Sequence, residues 1–554
     1  MIKNKLRNIL LGCALLFTSS CISDLDVTPI DPNVTFENEV FETADGYTQV
    51  LGKIYAGYHV AGQKGNDNES DVSTISDGGM SSYLRNYWNL QLLPTGEALN
   101  AWNDNGLVPL QNGEWSADNQ YVAGMFYRLY YMIALTNEFL RQSSDAKLDE
   151  RGQGDLKESM KQMRAEARLV RAIAYYHGMD FYGKMSWITE ATTDQYPKSI
   201  EGAELFSNVI NELNEIEEFL PEAGKAEYGR MDKGTLWMVK AKMFLNAKPF
   251  TGQDNPVSGV NSMEEVVNIT KQVNGAYTLD PNLLTLFSVG NENTTGIIHN
   301  VPLDPVRTQG FSATQYVISA GTNGRFSDFV NVSNGAAWGG NHATRSIYDK
   351  FQSRPSGDLR GKTEDVKDDD ELASKLEFNT LLVINSGLEV DDPLNYTQGL
   401  NIFKFRNRNV DGSKPAIAES YFVDTDWPLF RVADSYLMYA EAVLRGASNG
   451  TKGEALNLVN QVITRAYGGS TAGNIIEADL TLDFLLEERG REFYWEGYRR
   501  QDLVRFEKFT SATYLWPWKG GEQGGRALDA HRNVYPIPTQ ELAANPNASQ
   551  NTGY

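Results

Sequence analysis

The sequence predicts a mainly α-helical fold, in which tetratricopeptide-like helix pairs form a scaffold and long loop-rich segments, with short strands in places, form a ligand face. Three observations support this prediction. Apolar and small residues recur at alternating steps of four and three along several segments, which is the period of a helix buried on one face. These segments follow one another in pairs of similar size. Long stretches rich in Gly, Asn, Ser and Thr separate them.

The clearest helical pattern runs from Met163 to Phe181, and Gly183 follows it where a C-cap is expected. The same period predicts further helices at Phe206–Leu220 (ending before Pro221), Leu236–Ala247, Met125–Leu140, Met263–Val273, Ala433–Leu444 and Leu456–Ile463. Small residues on packed faces, such as Ala167 and Ala440, favour tetratricopeptide-like hairpins, whose period is about 34 residues. Because the intervals here are irregular, a generic α-helical bundle stays open as an alternative. The helical scaffold is predicted at about 120–275 and 428–510.

Loop-rich regions are predicted at about 60–118 and 290–425. Loops of this length are uncommon in a compact chain unless they are functional or disordered. Their aromatic content argues against disorder; the aromatic residues in question are Tyr83, Tyr87, Trp88, Trp102, Trp115, Phe311, Tyr316, Phe326, Phe329 and Trp338. We therefore expect these two regions to carry the working face of the molecule.

The first residues, MIKNKLRNILLGCALLFTSSC, combine a basic start, a short apolar run and two serines before Cys21, which predicts a secretory signal at 1–20. A signal that ends directly before a cysteine resembles a bacterial lipoprotein signal, in which that cysteine carries the lipid. Thr18 stands where leucine is usual, so a plain signal with a chance cysteine stays open. The only other cysteine, Cys13, lies within the signal, which leaves a lipid as the predicted partner of Cys21. Residues 21–35 are polar and contain proline, which predicts a tether, and 36–554 are predicted to form a single domain.

The charge balance excludes some partners. With 50 Lys and Arg against 72 Asp and Glu, the formal net charge is −22, and no basic run relieves it. Binding to a phosphate backbone is therefore disfavoured, and no nucleic acid partner is expected. The same surplus opposes adhesion to anionic lipid, so contact with a membrane is expected only through the lipid anchor.

Familiar catalytic motifs are missing from the sequence. It contains no H-E-x-x-H pair for zinc, no G-x-S-x-G elbow and no P-loop, and its histidines are scattered. His177, between aromatic neighbours on a predicted helix, is interpreted as a packed core residue. Glycoside hydrolysis needs only a pair of carboxylates, so an exported hydrolase stays open as an alternative. The acidic run EDVKDDDEL, residues 364–372, is interpreted as a solvated loop. No cofactor is required, although Asp424 and Asp426 are candidate calcium ligands because hard cations bind several oxygens.

The stretch LPTGEALNAWNDNG places Trp102 among residues that are typical of turns. Trp102 could pack this loop onto the core, or it could be a platform for a ligand. A sugar ring presents an apolar C–H face edged with hydroxyls, so a site for it needs flat aromatic rings together with amides, arginine or carboxylates. Asn105 follows Trp102 closely and Arg85 precedes it, which supplies both kinds of group.

Five blocks carry a family resemblance: AEARLVRAIAYYHGMDFYGKM, GRMDKGTLWMVKAKMFLNA, DTDWPLFRVADSYLMYAEAVLR, LLEERGREFYWEGYRRQDLVRF and YPIPTQELAANPNASQNTGY. Together they resemble the SusD/RagB family of outer-membrane nutrient-binding lipoproteins, and the resemblance extends from Cys21 to the C-terminus. It implies a SusD-like fold in a protein that is not an enzyme. It also implies a lipid-anchored protein at the cell surface of a Gram-negative bacterium of Bacteroides type, which delivers oligosaccharide to a SusC-like TonB-dependent outer-membrane transporter.

The resemblance also implies a set of binding residues. Trp102 and Trp338 match two tryptophans of an aromatic arc in the starch-binding member of the family, and Arg85 and Asn105 match polar groups that bond sugar hydroxyls. The third ring, a tyrosine in that member, is matched by Phe311, or by Tyr316 after a local shift. These matches imply binding of a starch-like α-glucan. Dextran, pullulan, a non-glucan or a peptide stay open as alternative ligands.

Overall fold

The computed structural model describes residues 37–62, 70–73, 75, 79–366, 376–418 and 420–554. The predicted signal, Cys21 and the tether lie outside these ranges, as does the acidic run after Val366. The chain divides into one unit at 1–49 and another at 50–554. The described part of the first unit holds helix α1 (Glu37–Val40) and the start of α2 (Ala44–Ala56). The features below belong to the second unit.

Helices account for most of the regular structure of this unit. In chain order they are α3 (Tyr83–Leu92), α4 (Leu107–Gln111), α5 (Gln120–Gln142), α6 (Asp145–Glu150), α7 (Lys157–Tyr182), α8 (Gly202–Ile216), α9 (Lys233–Leu245), α10 (Ala247–Thr251), α11 (Ser262–Ala276), α12 (Ala313–Ala320), α13 (Ser327–Val330), α14 (Arg345–Gln352), α15 (Val432–Leu444), α16 (Lys452–Ala466), α17 (Leu482–Phe493), α18 (Arg499–Arg505) and α19 (Thr539–Ala544).

The strands are short. They are β1 (Leu99–Asn100), β2 (Lys184–Ser186), β3 (Ser199–Glu201), β4 (Ile297–Val301), β5 (Asn341–His342), β6 (Thr363–Asp365), β7 (Leu382–Ile384), β8 (Leu400–Ile402) and β9 (Trp427–Arg431). β1 pairs with β5, β2 with β3 and β4 with β9, each time antiparallel. In the remaining sheet β7 lies between β6, which runs parallel to it, and β8, which runs antiparallel. The mainly helical fold with short strands is as predicted.

The long helices pack in a series that follows chain order. α5 packs on α7, α7 on α8, α9 on α11, α11 on α15 and α15 on α16. Local caps explain where these helices begin and end. Asn119 accepts hydrogen bonds from the backbone N–H groups of Tyr121 and Val122 and so starts α5. Gly183, with φ 69°, ends α7 as predicted, since its N–H donates to the carbonyl of Met179.

Buried ion pairs join the C-terminal part of the chain to this series. Glu492 of α17 is completely buried and accepts hydrogen bonds from Arg431 (3.0 Å) and Arg465 (2.6 Å). Glu488, one turn earlier, pairs with Arg360 at 2.8 Å. Charges without solvent persist only when they are paired, so loss of one partner would be costly. The charge-rich block LLEERGREFYWEGYRRQDLVRF is thus an interior segment.

The loop-rich regions are more regular and more buried than predicted. The first contains α3, whose Tyr83 and Trp88 are both 0% exposed, and Trp115 nearby is 1% exposed. In the second region Phe326 is also completely buried. Tyr316 is 1% exposed as well, so these five aromatic residues belong to the core, and the working face expected of the two regions does not include them. A helix whose residues nearly all face the interior has no polar stripe, so it lacks the amphipathic period by which the other helices were predicted.

Within the part of the chain that the structure describes, no helix has both the length and the apolar character needed to cross a membrane.

Candidate functional site

Aromatic rings from four separate segments of the chain meet in the loop-rich regions. We call Trp102, Phe311, Trp338, Tyr421 and Phe422 the aromatic surface; all are half-buried except Tyr421, which is 36% exposed. The ring centroids of Trp102 and Trp338 lie 6.4 Å apart with their planes at 51°. Phe311 lies 5.4 Å from Trp338 at 79° and 5.6 Å from Phe422 at 25°. Because successive planes are tilted, the rings form a bent surface.

Trp102 is positioned by the pairing of β1 with β5, which opposes Asn100 to Asn341. Its backbone N–H donates to Oδ1 of Asn100 at 2.8 Å, and its indole Nε1–H donates to the carbonyl of Gly339 at 2.8 Å. Gly340 lies directly against the indole, where a Cβ would come within 2.4 Å of Cε2. One edge of Trp102 is therefore packed, as the first interpretation of this residue required, while the ring is only half-buried.

Trp338 is fixed in a similar way from its own side. Its backbone N–H donates to the carbonyl of Ser319 at 2.9 Å, and its indole Nε1–H donates to the hydroxyl of Tyr421 at 2.9 Å. The Tyr421 hydroxyl in turn donates to the carbonyl of Gly335 at 3.0 Å. Both indole N–H groups of the surface are thus satisfied by the protein, which leaves the ring faces as the groups that can contact a ligand.

Arg85 lies next to these rings and is 6% exposed. Its Cζ is 5.7 Å from the ring centroid of Trp102 and 4.5 Å from that of Tyr316, which are cation–π distances. Within the described ranges no carboxylate forms an ion pair with Arg85, and its Nε has no hydrogen-bond acceptor. The Nε–H of this nearly buried guanidinium can therefore donate to an incoming acceptor.

Tyr316 lies beneath the surface and is 1% exposed. Its hydroxyl donates to Oδ1 of Asn89 at 2.8 Å, and its ring packs edge-on against Trp88 at 5.5 Å. Burial raises the pKa of the Tyr316 hydroxyl. Of the two residues matched to the third ring, Phe311 is therefore the one that lies in the aromatic surface, and Tyr316 supports Arg85 from below.

The backbone around Phe311 is tied to Arg85. Ser312 accepts a hydrogen bond from the backbone N–H of Arg85 at 3.1 Å, so the start of α3 and the start of α12 are held together. Ala313 follows with φ 48°, in the left-handed region that a residue with a Cβ rarely adopts. This strained turn allows Phe311 to lie at the surface while Tyr316, within the helix that follows, points inward.

Asn105 is exposed on the turn between Trp102 and α4. Its carbonyl accepts a hydrogen bond from Nε2 of Gln120 at 2.5 Å, and the carbonyl of the next residue, Gly106, accepts one from Asn119 at 2.9 Å. The turn is thus attached to the cap of α5, and the scaffold fixes its position relative to Trp102.

Sequence reasoning missed Tyr421 and Phe422. Their rings lie 6.0 and 5.6 Å from that of Phe311, and Tyr421 also bonds Trp338. An adjacent pair of aromatic residues inside the predicted loop-rich region 290–425 was the available signal.

The two candidate calcium ligands lie close behind this pair in sequence. Asp426 is 2% exposed, and its carboxylate accepts hydrogen bonds from the Tyr228 hydroxyl (2.7 Å) and the backbone N–H of Leu303 (2.8 Å). Burial raises the pKa of Asp426 to about 7 and that of Asp424 to about 6. Among the described residues no group of three or more His, Cys, Asp or Glu is arranged to hold a metal. Calcium binding stays a prediction.

Burial shifts the pKa of all five histidines downward, so that they are uncharged at neutral pH. Burial lowers the pKa of His177 to about 3 and those of His59 and His299 to about 4. His177 is 2% exposed and hydrogen-bonds through Nδ1 with the Tyr83 hydroxyl at 2.6 Å, which confirms its interpretation as a core residue. Burial also lowers the pKa of His342 and of His531.

Among the cavities formed by the described residues are two whose position can be compared with that of the aromatic surface. One of about 340 Å³ is lined by residues that include Tyr228, Asp232 and His299, and one of about 840 Å³ by residues that include Lys248, Arg445 and Phe506. No ring of the aromatic surface lines either of them. The aromatic surface is thus separate from both cavities.

Comparisons with known proteins agree with this architecture. A family model described as the SusD family matches residues 245–554. The starch-binding protein SusD of Bacteroides thetaiotaomicron is 33% identical over 569 residues, which cover 97% of this chain and 96% of that protein.

Solved structures show the same fold. A SusD homolog from Bacteroides thetaiotaomicron superposes with a TM-score of 0.68 at 17% identity, covering 94% of this chain and 99% of the other. Surface glycan-binding protein A from Bacteroides thetaiotaomicron, in complex with laminarihexaose, gives a TM-score of 0.64 at 17% identity, covering 92% and 99%. The predicted SusD-like fold is confirmed.

Proposed function

The chain belongs to the SusD family, and from that premise we propose that its aromatic surface captures starch-like α-glucan oligosaccharides. The observation that carries the proposal is the tilted arrangement of Trp102, Trp338 and Phe311 next to an arginine that forms no ion pair with any described residue. A relative that matches nearly the whole chain is a starch-binding protein, which supports the same ligand class.

The chemistry of the surface suits a sugar. The C–H face of a glucose can stack on Trp102 or Trp338, whose N–H groups are engaged by Gly339 and Tyr421 and do not compete. The sugar hydroxyls then need polar partners at the edges of the rings, and Arg85 and Asn105 supply them. Hydrogen bonds to a charged donor such as Arg85 are stronger than those between neutral groups.

The tilt of the rings favours a bent polysaccharide. Planes at 51° and 79° can stack on successive glucoses only when the chain turns between them. An α-linked glucan that coils meets this condition, whereas an extended chain can lie flat on one ring at a time. We infer that shape provides the selectivity.

The proposal extends to the place of the protein in the cell. We propose that Cys21 carries a lipid which anchors the protein at the outer-membrane surface, and that the captured glycan passes to a SusC-like TonB-dependent transporter. Family membership and the signal-like N-terminal sequence support this role. The protein is proposed to act without catalysis and without a required cofactor.

Affinity electrophoresis in gels that contain amylopectin, pullulan, dextran or laminarin tests the ligand class. We expect amylopectin to retard the protein most, and Trp338→Ala to abolish the retardation. Trp237→Ala is the matched control, because Trp237 is also half-buried and bonds a protein acceptor, Glu217, at 2.8 Å, but lies on α9. Retardation only by another glycan would replace the proposed ligand, and no retardation by any would favour a peptide ligand.

The same protein preparation separates binding from hydrolysis. Incubation with amylose should release no new reducing ends. Sustained release would favour the alternative of an exported glycoside hydrolase.

A further inference from the structure

Tyr421 contacts the other residues of the aromatic surface in two ways. Its ring packs edge-on against Phe311 at 6.0 Å, and its hydroxyl is both the acceptor for the Trp338 indole and a donor to Gly335. Gly335 and Trp338 both lie in the connection between α13 and β5, so a single hydroxyl connects the backbone of this connection to the side chain that it carries.

The bonds that hold Trp338 fall into two independent groups. The backbone is held by the bond from its N–H to the carbonyl of Ser319, at the end of α12. The side chain can still rotate about its two torsions, and the bond from Nε1 to Tyr421 restrains that rotation. Removing the Tyr421 hydroxyl would therefore release the ring while the backbone stays in place.

We propose that Tyr421 is a positioning residue that fixes the angle between Trp338 and Trp102 and thereby sets the curvature of glycan that the surface accepts. This inference rests on the proposed function, since the angle matters only if a glycan bridges the two rings. The observed 51° between the planes is the quantity that Tyr421 maintains.

Phe311 has no hydroxyl, although it is matched to a tyrosine, and Tyr421 supplies a hydroxyl to the aromatic surface instead. Tyr421 is 36% exposed and its ring lies beside that of Phe311, so a different segment of the chain supplies the phenol next to that ring. In this position the Tyr421 hydroxyl forms hydrogen bonds with Trp338 and Gly335, and through them it affects the shape of the aromatic surface.

The test compares Tyr421→Phe, which keeps the ring and removes both hydrogen bonds, with Tyr421→Leu, which also removes the ring. Tyr131→Phe is the control, because it removes a hydroxyl that bonds Asp71 at 2.6 Å and belongs to no part of the aromatic surface. Calorimetric titrations use β-cyclodextrin, a closed and curved ring of α-linked glucose, and maltoheptaose, its flexible linear counterpart.

A second measurement follows the ring itself. The protein contains 10 tryptophans, so ¹⁹F spectra of protein labelled with 5-fluorotryptophan are assigned through the signal that disappears in Trp338→Phe. We expect Tyr421→Phe to change the shift and width of that signal and to weaken binding of β-cyclodextrin about fivefold, the worth of one hydrogen bond. Binding of maltoheptaose should weaken less, because a flexible chain can follow the released ring.

Two results would overturn the inference. One is a Tyr421→Phe protein with unchanged ¹⁹F signal and unchanged affinity for both sugars. The other is full binding by Tyr421→Phe together with loss of binding by Tyr421→Leu, which would make Tyr421 a stacking ring and not a positioning residue. Failure of the proposed function would look different, since the wild-type protein itself would bind neither sugar, and the ¹⁹F signal would still show whether Tyr421 holds Trp338.

Discussion

Replacing Trp102 with alanine separates the two roles that its position allows. Its edge packs on Gly340 and its Nε1–H bonds Gly339, as expected of a residue that attaches a loop to the core. Its ring is half-buried beside Trp338, as expected of a binding platform. If Trp102 is a packing residue, its replacement should mainly lower stability. If it is a binding platform, its replacement should mainly lower affinity for the ligand.

The loss of stability can be estimated from these contacts. Trp102→Ala removes one hydrogen bond, about 1 kcal/mol, and part of the burial of one ring, about another 1 kcal/mol, so the free energy of unfolding should fall by about 2 kcal/mol. Trp88 is completely buried and also donates a hydrogen bond, to the carbonyl of Trp495 at 3.0 Å. Trp88→Ala should therefore cost more, about 3–5 kcal/mol.

The loss of affinity should be larger in proportion. An open site for a short glucan is expected to bind in the micromolar to millimolar range, which corresponds to about −8 to −4 kcal/mol. Loss of a central stacking ring should remove about 2 kcal/mol of this, a reduction of about 30-fold. Calorimetry with maltoheptaose measures the affinity, and urea denaturation measures the stability.

Trp237→Ala controls for the loss of stability. It removes a half-buried tryptophan and one hydrogen bond from the scaffold and should lower the unfolding free energy by a similar amount while binding stays at the wild-type level. The platform role would be refuted if Trp102→Ala bound maltoheptaose within twofold of wild type. A loss of stability as large as that of Trp88→Ala would then establish Trp102 as a packing residue.

Three further predictions concern the neighbouring residues and the interior. Arg85→Met should weaken maltoheptaose binding at least tenfold, without lowering the urea midpoint, because Arg85 has no ion pair to lose within the described residues; a lower midpoint would assign it a structural role. Phe311→Tyr should strengthen binding a fewfold in the same titration by adding a hydroxyl to a half-buried ring, and weaker binding would place this ring away from the sugar. Burial alone would raise the pKa values of Glu441 and Glu488. The guanidinium of Arg505 instead lowers the pKa of Glu441 to about 2, and the guanidinium groups of Arg360 and Arg491 lower that of Glu488 to about 2. These folded pKa values lie below the unfolded value near 4.3, so the two carboxylates stabilise the fold fully above that pH and lose this contribution as the pH falls towards 2. Urea midpoints should therefore decline over this interval. A constant midpoint would contradict the stabilising role of these ion pairs.

The helical scaffold could be predicted because its helices are buried on one face and exposed on the other. α7 was predicted from Met163 to Phe181 and runs from Lys157 to Tyr182, since its first turns are polar and contribute little to an apolar period. α3 and α12 gave no such signal. Nearly all of their residues are buried, so no polar face alternates with an apolar one.

The assembly of the aromatic surface depends on contacts that local sequence does not encode. Trp102 and Trp338 are brought together by β1 and β5, strands of two residues each, which are too short to show a period. The choice between Phe311 and Tyr316 depends on where α12 begins and on the unusual φ of Ala313. Only the resemblance to a family linked these residues at the sequence level, and it did so without Tyr421.

The way in which the two tryptophans are held bears on what the surface can distinguish. An indole N–H directed outward would recognise a particular hydroxyl, but here both are bonded to the protein, through Gly339 and Tyr421. On the proposed function, the rings recognise a glucan by face and angle, and we expect glucans that differ in linkage to be distinguished by how sharply they bend. Arg85 and Asn105 are proposed to add hydroxyl contacts at the edge, and an open surface leaves much of each sugar hydrated. A surface of this kind binds each short segment weakly and gains from long chains that offer many equivalent segments, as would suit capture of a polysaccharide before its transfer.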